Sequence, residues 1–349
     1  MILKNNLVKT MKRNNWIVGI LVAAFILLIG GVSWWYLEVR SSLTNQKTDL
    51  MPIQLRLKWL NQAQFAGNYV AVEKGFYREQ GLSVTTVPFN YGDSPIDAVL
   101  AGKAQFGIAG ADEIMIARTA GKPVKAIAVI YRTSPVVAFS LKNSGITRPQ
   151  DFIGKRVGIE RGQNVEYLYK AMMSKLKIDR SKIKEVTVGT DASELINGSV
   201  DVSTGYIINE PQLVVEAGKD VNIILMADYG VNMYADVLFT TDAMAQTKPE
   251  IVQEMTKATI DGWQYAIEHP SEAIDDTMKY VTTSSRTHQE YMFSTSAPLI
   301  NTGTVKLGEM DISGWQQVQN ILFDQKLISK KIDVRDAYTL QFLNTVYKQ

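Results

Sequence analysis

Five short stretches hold the side chains best suited to grip a small molecule. In "WLNQAQF", Trp59, Asn61, Gln62, Gln64 and Phe65 bring two rings and three amides together without a charge. "GAD" contributes Gly110 and Asp112, and "ERGQN" ends on Asn164. Tyr206 is followed closely by Asn209 and Glu210, and "DYGVNMY" ends on Tyr234. Rings, amides and carboxylates dominate, and Arg161 is the one basic residue inside these stretches. That chemistry suits a planar, neutral or weakly basic heteroaromatic ligand. Rings stack on its faces, while amides and acids accept its N–H groups.

Each residue also has a plainer reading. Trp59 would serve equally well as core. Asp112 opens a helix, where an acid meets the positive end of the dipole, and the same holds for Glu210 ahead of Pro211. "ERGQN" would pass for a glycine turn, and Gly205-Tyr206 for packing. Their joint placement is what favours binding, because all five stretches follow expected strands. In open α/β sheets, ligands bind beyond the carboxyl ends of strands.

The elements that must position them are legible as a rhythm. "IQLRLKW" (53–59) alternates apolar and polar residues, as a strand does. Phe65 to Tyr77 has helical periodicity, and the β-branched "LSVTTV" (82–87) is a strand. Ser94-Pro95-Ile96-Asp97 starts a helix: serine caps it, proline takes the first turn and an acid follows. A strand at 104–110 then leads into a helix near Ala111. The alternation resumes with a strand at 155–160, a helix over Asn164–Leu176, two further strand–helix steps and a last strand, "VNIILMA". Such a βαβ rhythm predicts parallel sheets with helices on both faces. After about residue 240 the pattern turns helical, with helices expected at 249–268 and 271–281 and more after 313.

Composition narrows the function. Apolar residues make up 46% and charged residues 21% of 349, which is globular rather than disordered. Residues 1–50 carry six cations against two acids, so they hold +4 of a chain total of +2 and leave the body slightly acidic. Nucleic-acid binding, which needs clustered cations, is a poor match. No cysteine is present, so disulfides, thiolate catalysis and iron–sulfur clusters are excluded. Of two histidines, His269 precedes Pro270 at a helix end and His288 falls in the polar run "TSSRTHQE", where it reads as a surface residue. No nucleophile-elbow, metalloprotease, phosphate-loop or dinucleotide pattern occurs. No catalytic residue, metal or cofactor is therefore expected.

Residues 16–37, "WIVGILVAAFILLIGGVSWWYL", contain no charge. As a helix the run would reach about 33 Å at about 1.5 Å per residue, enough for a hydrocarbon core of about 30 Å. Trp16 and Trp34-Trp35-Tyr36 sit where interfacial aromatics belong, and the cations before the run place residues 1–15 in the cytoplasm. A transmembrane anchor is expected; a cleaved signal peptide is the alternative. Either exports the body to the periplasmic or extracellular face, with residues 38–52 as a tether.

Four stretches carry a family resemblance: "WLNQAQFAGNYVAVEKGFYREQGLSV", "DAVLAGKAQFGIAGADEIMIAR", "LINGSVDVSTGYIINEPQLV" and "DVLFTTDAMAQTKPEIVQEMTKATIDGWQYAIEHPSEAI". From about residue 53 to 325 the chain resembles ABC-transporter substrate-binding proteins of the SsuA/THI5-like (NMT1/THI5) type. The resemblance implies an α/β, two-lobed periplasmic-binding-protein fold, type II-like, behind the N-terminal helix. Its parts would be lobe 1 beginning at 53–136, lobe 2 at 137–238 and a helical return at 239–349 packing mainly on lobe 1. It also implies an ABC permease as partner and a small solute held between the lobes. Family ligands include thiamine pyrimidine precursors, riboflavin, nitrate and sulfonates, and the tryptophan-amide loop with Asn-Glu-Pro is most similar to the pyrimidine-precursor binders. By that resemblance Trp59 and Tyr206 stack on the ring and Glu210 accepts from an exocyclic amine. Asn61, Gly110, Asp112, Asn164 and Tyr234 complete the expected site. A membrane-anchored sensory ectodomain is the second reading. A pyrimidine synthase is the third, disfavoured because that branch carries a cysteine-rich run.

Overall fold

The computed structural model describes residues 50–90 and 94–348. The 16–37 run and residues 1–15 lie outside them, and among the described residues no helix is long and apolar enough to cross a membrane.

Ten strands are described: β1 (Met51–Arg56), β2 (Leu82–Val87), β3 (Phe106–Ala109), β4 (Val124–Tyr131), β5 (Val136–Leu141), β6 (Arg156–Ile159), β7 (Lys184–Thr187), β8 (Val202–Tyr206), β9 (Val221–Leu225) and β10 (Ala235–Thr241). They form two five-stranded sheets, ordered β2-β1-β3-β10-β4 and β7-β6-β8-β5-β9. The sheets are mixed rather than parallel, which corrects the sequence expectation. β10 runs antiparallel to β3 and β4, and β5 antiparallel to β8 and β9. Each reversed strand is the first one formed after the chain crosses between sheets, at 132–135 and again before 235, so each enters from the opposite side. The boundary expected at 238 falls inside β10, whose whole length pairs in the first sheet.

Three strands, β4, β5 and β10, escape the alternation rule. Their sequences, VKAIAVIY, VVAFSL and ADVLFTT, are buried at nearly every position. A strand covered on both faces reads as a continuous apolar run, not as a period of two. The outer edge of β4 is itself covered, because Ala126 pairs with Ala337 and Thr339, and Val129 with Gly308. Unpaired edge groups are thereby satisfied.

Helix starts match the cap chemistry. Ser94 Oγ accepts from Ile96 N at 3.2 Å ahead of the Pro95–Leu100 helix. The expected single helix from Phe65 to Tyr77 is instead two, Ala66–Glu73 and Phe76–Glu79, parted at Gly75 with φ +86°. Only glycine adopts that turn cheaply. The Pro249–Glu268 helix packs on Ala66–Glu73 at a glycine contact: a Cβ on Gly262 would lie 2.4 Å from Gly67 O. The Ile312–Asp324 helix touches both the Ala111–Thr119 helix of the first half and the Asn164–Lys175 helix of the second.

Candidate functional site

Lys58 and Trp59 follow the end of β1 at Arg56 after the single residue Leu57. Lys58 occupies the middle of the cleft between the sheets. Its side chain is 14% exposed and its Nζ lies 3.4 Å from Asp236 Oδ1 and 3.4 Å from Tyr206 OH. Burial alone would lower the Lys58 pKa. Tyr206 and the carboxylates of Asp236, Glu113 and Asp112 reverse this and hold it well above the ordinary value, so Lys58 is a cation. Asp236 supports it from below: it is buried, adopts φ +53° and also receives both Gln64 Nε2 contacts, at 2.7 and 3.0 Å. A non-glycine residue in that backbone region is strained, and such strain concentrates at functional sites.

Two pockets meet at Lys58 and Trp59. The larger, about 620 Å³, runs past Phe89, Asp112, Glu113, Asn164 and Tyr167. The smaller, about 50 Å³, is walled by Gln64, Glu160, Tyr206, Asn209 and Glu210. Trp59 stacks on Phe89 with centroids 5.8 Å apart. Among the described residues, no arginine lines either pocket.

The far wall is built by β8 and the helix after it. Glu210 opens the Glu210–Glu216 helix and turns back, so that Tyr206 N donates to Oε2 at 2.6 Å and Asn209 Nδ2 to Oε1 at 2.6 Å. Gly205 makes this possible, since a Cβ there would meet Glu210 Oε2 at 2.6 Å. Burial pushes the Glu210 carboxyl up to about 7 against these donors. Tyr206 OH accepts from Asn164 Nδ2 at 2.7 Å, and burial raises its own pKa to about 12. On the near wall, burial and the adjacent Glu113 push Asp112 up to about 6 while Lys58 opposes them. The joined pockets thus offer four rings, Trp59, Phe89, Tyr167 and Tyr206, several carboxylates of raised pKa and two ammonium groups, Lys58 and Lys122.

Residues 62–273, more than half of the chain, match the family described as NMT1/THI5 like. The chain belongs to the NMT1/THI5-like family. Similar relatives include a riboflavin-binding protein from Chloroflexus aurantiacus, 25% identical over 86% of this chain and 88% of that one. A formylaminopyrimidine-binding protein from Halalkalibacterium halodurans is 24% identical over 87% and 95%. A 4-amino-5-hydroxymethyl-2-methylpyrimidine phosphate synthase from Legionella pneumophila is 24% identical over 83% and 92%. Among solved structures, the periplasmic aliphatic sulphonate binding protein SsuA from Escherichia coli superposes with a TM-score of 0.66 at 14% identity, covering 82% of this chain and 91% of that one. The two-lobed periplasmic-binding-protein fold is shared.

Within this NMT1/THI5-like chain, the structure gathers five of the eight residues singled out from sequence. Trp59, Asp112, Asn164, Tyr206 and Glu210 all line the joined pockets. Asn61 does not: its amide is held between Tyr280 O at 3.3 Å and Tyr69 OH at 3.0 Å. Gly110 lines neither pocket, but its missing Cβ leaves room for Asp112, whose Oδ1 would otherwise lie 2.1 Å away. Tyr234 belongs elsewhere, its OH donating to Asp311 Oδ2 at 3.0 Å beside Arg132 in a separate open pocket. Arg161 is bound to Glu166 and Glu185 at 2.8 and 3.2 Å, outside the cleft. Lys58 lies one residue before the tryptophan-amide stretch and is not among the residues singled out from sequence; its place at a strand exit is the signal that marks it. Asp236 left none, since its partners are distant in sequence. His288 corrects the surface reading outright: it is buried, with Nδ1 2.9 Å from Glu216 Oε1 and Nε2 3.0 Å from Asn209 Oδ1.

Proposed function

We propose that this chain is the solute-binding component of an ABC importer, capturing a small heteroaromatic solute that resembles a thiamine pyrimidine precursor. One observation carries the reading. Trp59 from the first half and Glu210 from the second line the same small pocket, with Tyr206 beside them. Trp59 and Tyr206 supply stacking faces, Glu210 accepts from an exocyclic amine, and Lys58 donates to a ring nitrogen or oxygen. Asp112 and Asn164 extend the site into the larger chamber. Relatives named for formylaminopyrimidine and riboflavin support a flat nitrogenous ligand. Among the described lining residues there is no arginine, and five carboxylates face two lysines, Lys58 and Lys122, a balance that argues against sulfonate or nitrate despite the shared SsuA fold.

Size is consistent with this. A pyrimidine of about 10 heavy atoms bound at micromolar Kd needs about −8 kcal/mol, or about 0.8 kcal/mol per atom. That density of interaction requires enclosure between lobes. No bond is made or broken in this reading, although the relative named as a synthase provides an enzymatic alternative. The apolar 16–37 run favours tethering the binding domain on the outer face of the cytoplasmic membrane, and with it a sensory role as a second reading.

Isothermal titration of the full-length chain with 4-aminopyrimidines, alkanesulfonates and nitrate tests the ligand class. Saturable heat with aminopyrimidines alone is expected. Heat with sulfonates alone would overturn it. Recovery of the bound heterocycle chemically altered would replace binding with catalysis.

A further inference from the structure

The two walls of the small pocket come from different sheets, yet consecutive residues of one remote helix grip both. Arg286–Ile300 is that helix. Gln289 Oε1 accepts from Ala63 N at 2.6 Å, inside the loop that carries Trp59 and Gln64. Gln289 is itself oriented by Ser284, whose Oγ accepts its Nε2 at 3.0 Å. One residue earlier, His288 reaches the opposite wall. Its Nε2 meets Asn209 Oδ1 at 3.0 Å and its Nδ1 meets Glu216 Oε1 at 2.9 Å, so it spans the start and end of the Glu210–Glu216 helix. Tyr291 OH donates to Ile207 O at 3.0 Å, a third grip on the same wall. Ser296 Oγ accepts from Tyr131 OH at 2.7 Å, which anchors the far end of this helix to β4 of the first sheet.

We infer that His288 and Gln289 are positioning residues that set the separation and orientation of the two pocket walls, and so determine which ligand fits between Trp59 and Glu210. The route to Glu210 is short. With His288 Nε2–H donating to Asn209 Oδ1, the Asn209 Nδ2 faces the other way, where it donates to Glu210 Oε1 at 2.6 Å. Turning the amide over would set its oxygen against a carboxylate oxygen, a repulsive contact. His288 therefore aligns the acceptor that the ligand reads without touching the ligand. Gln289 does the same for the tryptophan loop by occupying the Ala63 N–H, a buried donor that would be costly to leave unpaired. Both residues are buried, 4% and 1% exposed, so the geometry they impose is rigid.

The chain contains no cysteine, which makes a direct measurement of wall spacing available. Leu60 on one wall and Val215 on the other are 46% and 43% exposed. The full-length L60C/V215C protein, spin-labelled, is expected to give a single narrow distance distribution by double electron–electron resonance. His288→Ala is expected to broaden or shift it, and to weaken aminopyrimidine binding about tenfold, the loss of one to two hydrogen-bonded links. His288→Gln keeps a donor at the Nε2 position and is expected to restore both readouts to within about threefold in affinity. Gln289→Leu, which removes the acceptor for Ala63, is expected to broaden the distribution, and Gln289→Glu, which keeps it, to leave the distance unchanged; a distribution unaltered in Gln289→Leu, or broadened equally in both, overturns the role of Gln289. A distribution unaltered in His288→Ala overturns the inference, and a His288→Gln protein as impaired as His288→Ala overturns the Asn209 route. The inference rests on the binding reading above for its ligand arm only. A broadened distance in His288→Ala, with no aminopyrimidine binding to the parent protein, would overturn that reading and leave the wall-positioning role intact.

Discussion

Asp112 and Glu210 occupy matching places on opposite walls. Each is a buried carboxylate on the first turn of a helix that follows a strand exit, and each lies where a glycine has given up its Cβ, at Gly110 and Gly205. Burial raises both pKa values, to about 6 and about 7. Their neighbours differ. Asp112 feels the Lys58 ammonium, so its charge has a partner before any ligand arrives. Glu210 has only neutral donors, the Tyr206 N–H and the Asn209 amide, and Glu160 adds a like charge nearby. A carboxyl held by dipoles alone stays close to half-ionised near neutral pH and gains most from a ligand N–H donor. On the proposed function, this comparison predicts Glu210 as the anchor and Asp112 as the lesser contact.

The strongest way to break this comparison is Glu210→Gln. It keeps the shape but loses the charged acceptor, and aminopyrimidine affinity by calorimetry is expected to fall by about 2–3 kcal/mol, roughly 30- to 150-fold. A loss smaller than that of Asp112→Asn would move the anchor to the first wall. The next largest effect is on pH. Because the Glu210 pKa is raised to about 7, its ionised fraction grows about tenfold between pH 6 and pH 8, and ligand affinity should rise by a similar factor over that interval. The sign follows from the acceptor: the carboxylate accepts a ligand N–H in a charge-assisted bond, whereas the neutral carboxyl accepts more weakly and presents an O–H donor of its own. Glu210→Gln should flatten the profile, and a profile that persists unchanged would assign the titration to another group. Trp59→Ala should cost about 1 kcal/mol or somewhat more, from lost stacking and area. Unchanged binding would remove Trp59 from the site and leave its contact with Phe89 as packing. Asp112→Asn is expected to be the smallest, under about fivefold, because Lys58 already offsets its charge.

Much of the fold was readable along the chain, and the failures have a common cause. The Ser94 cap, the Pro95 first turn and the helix at 249–268 depend on local backbone chemistry, which a few neighbouring residues decide. β4, β5 and β10 were silent because burial on both faces erases the period of two. The antiparallel strands were silent because strand direction depends on which sheet the chain returns to. The site shows the same division. Trp59 and Glu210 stand out as unusual residues at strand exits, whereas Lys58 sits in an alternating strand pattern and Asp236 in an apolar run. His288 looked solvated in its polar neighbourhood, yet the Glu210–Glu216 helix covers it.

Residues close together in the chain were enough to specify the two α/β halves, their helical return, the uncharged apolar run at 16–37 and the inventory of rings and carboxylates at strand exits. These follow from periodicity, capping and composition, properties carried by residues close together in the chain. Tertiary structure alone decided which of those groups share one cavity, placed a charged lysine at its centre over a strained aspartate, and set both walls against one distant helix. Those outcomes depend on contacts between residues separated by tens to hundreds of positions, such as Gln64 with Asp236 and His288 with Asn209, and no local pattern encodes a distance that only folding creates.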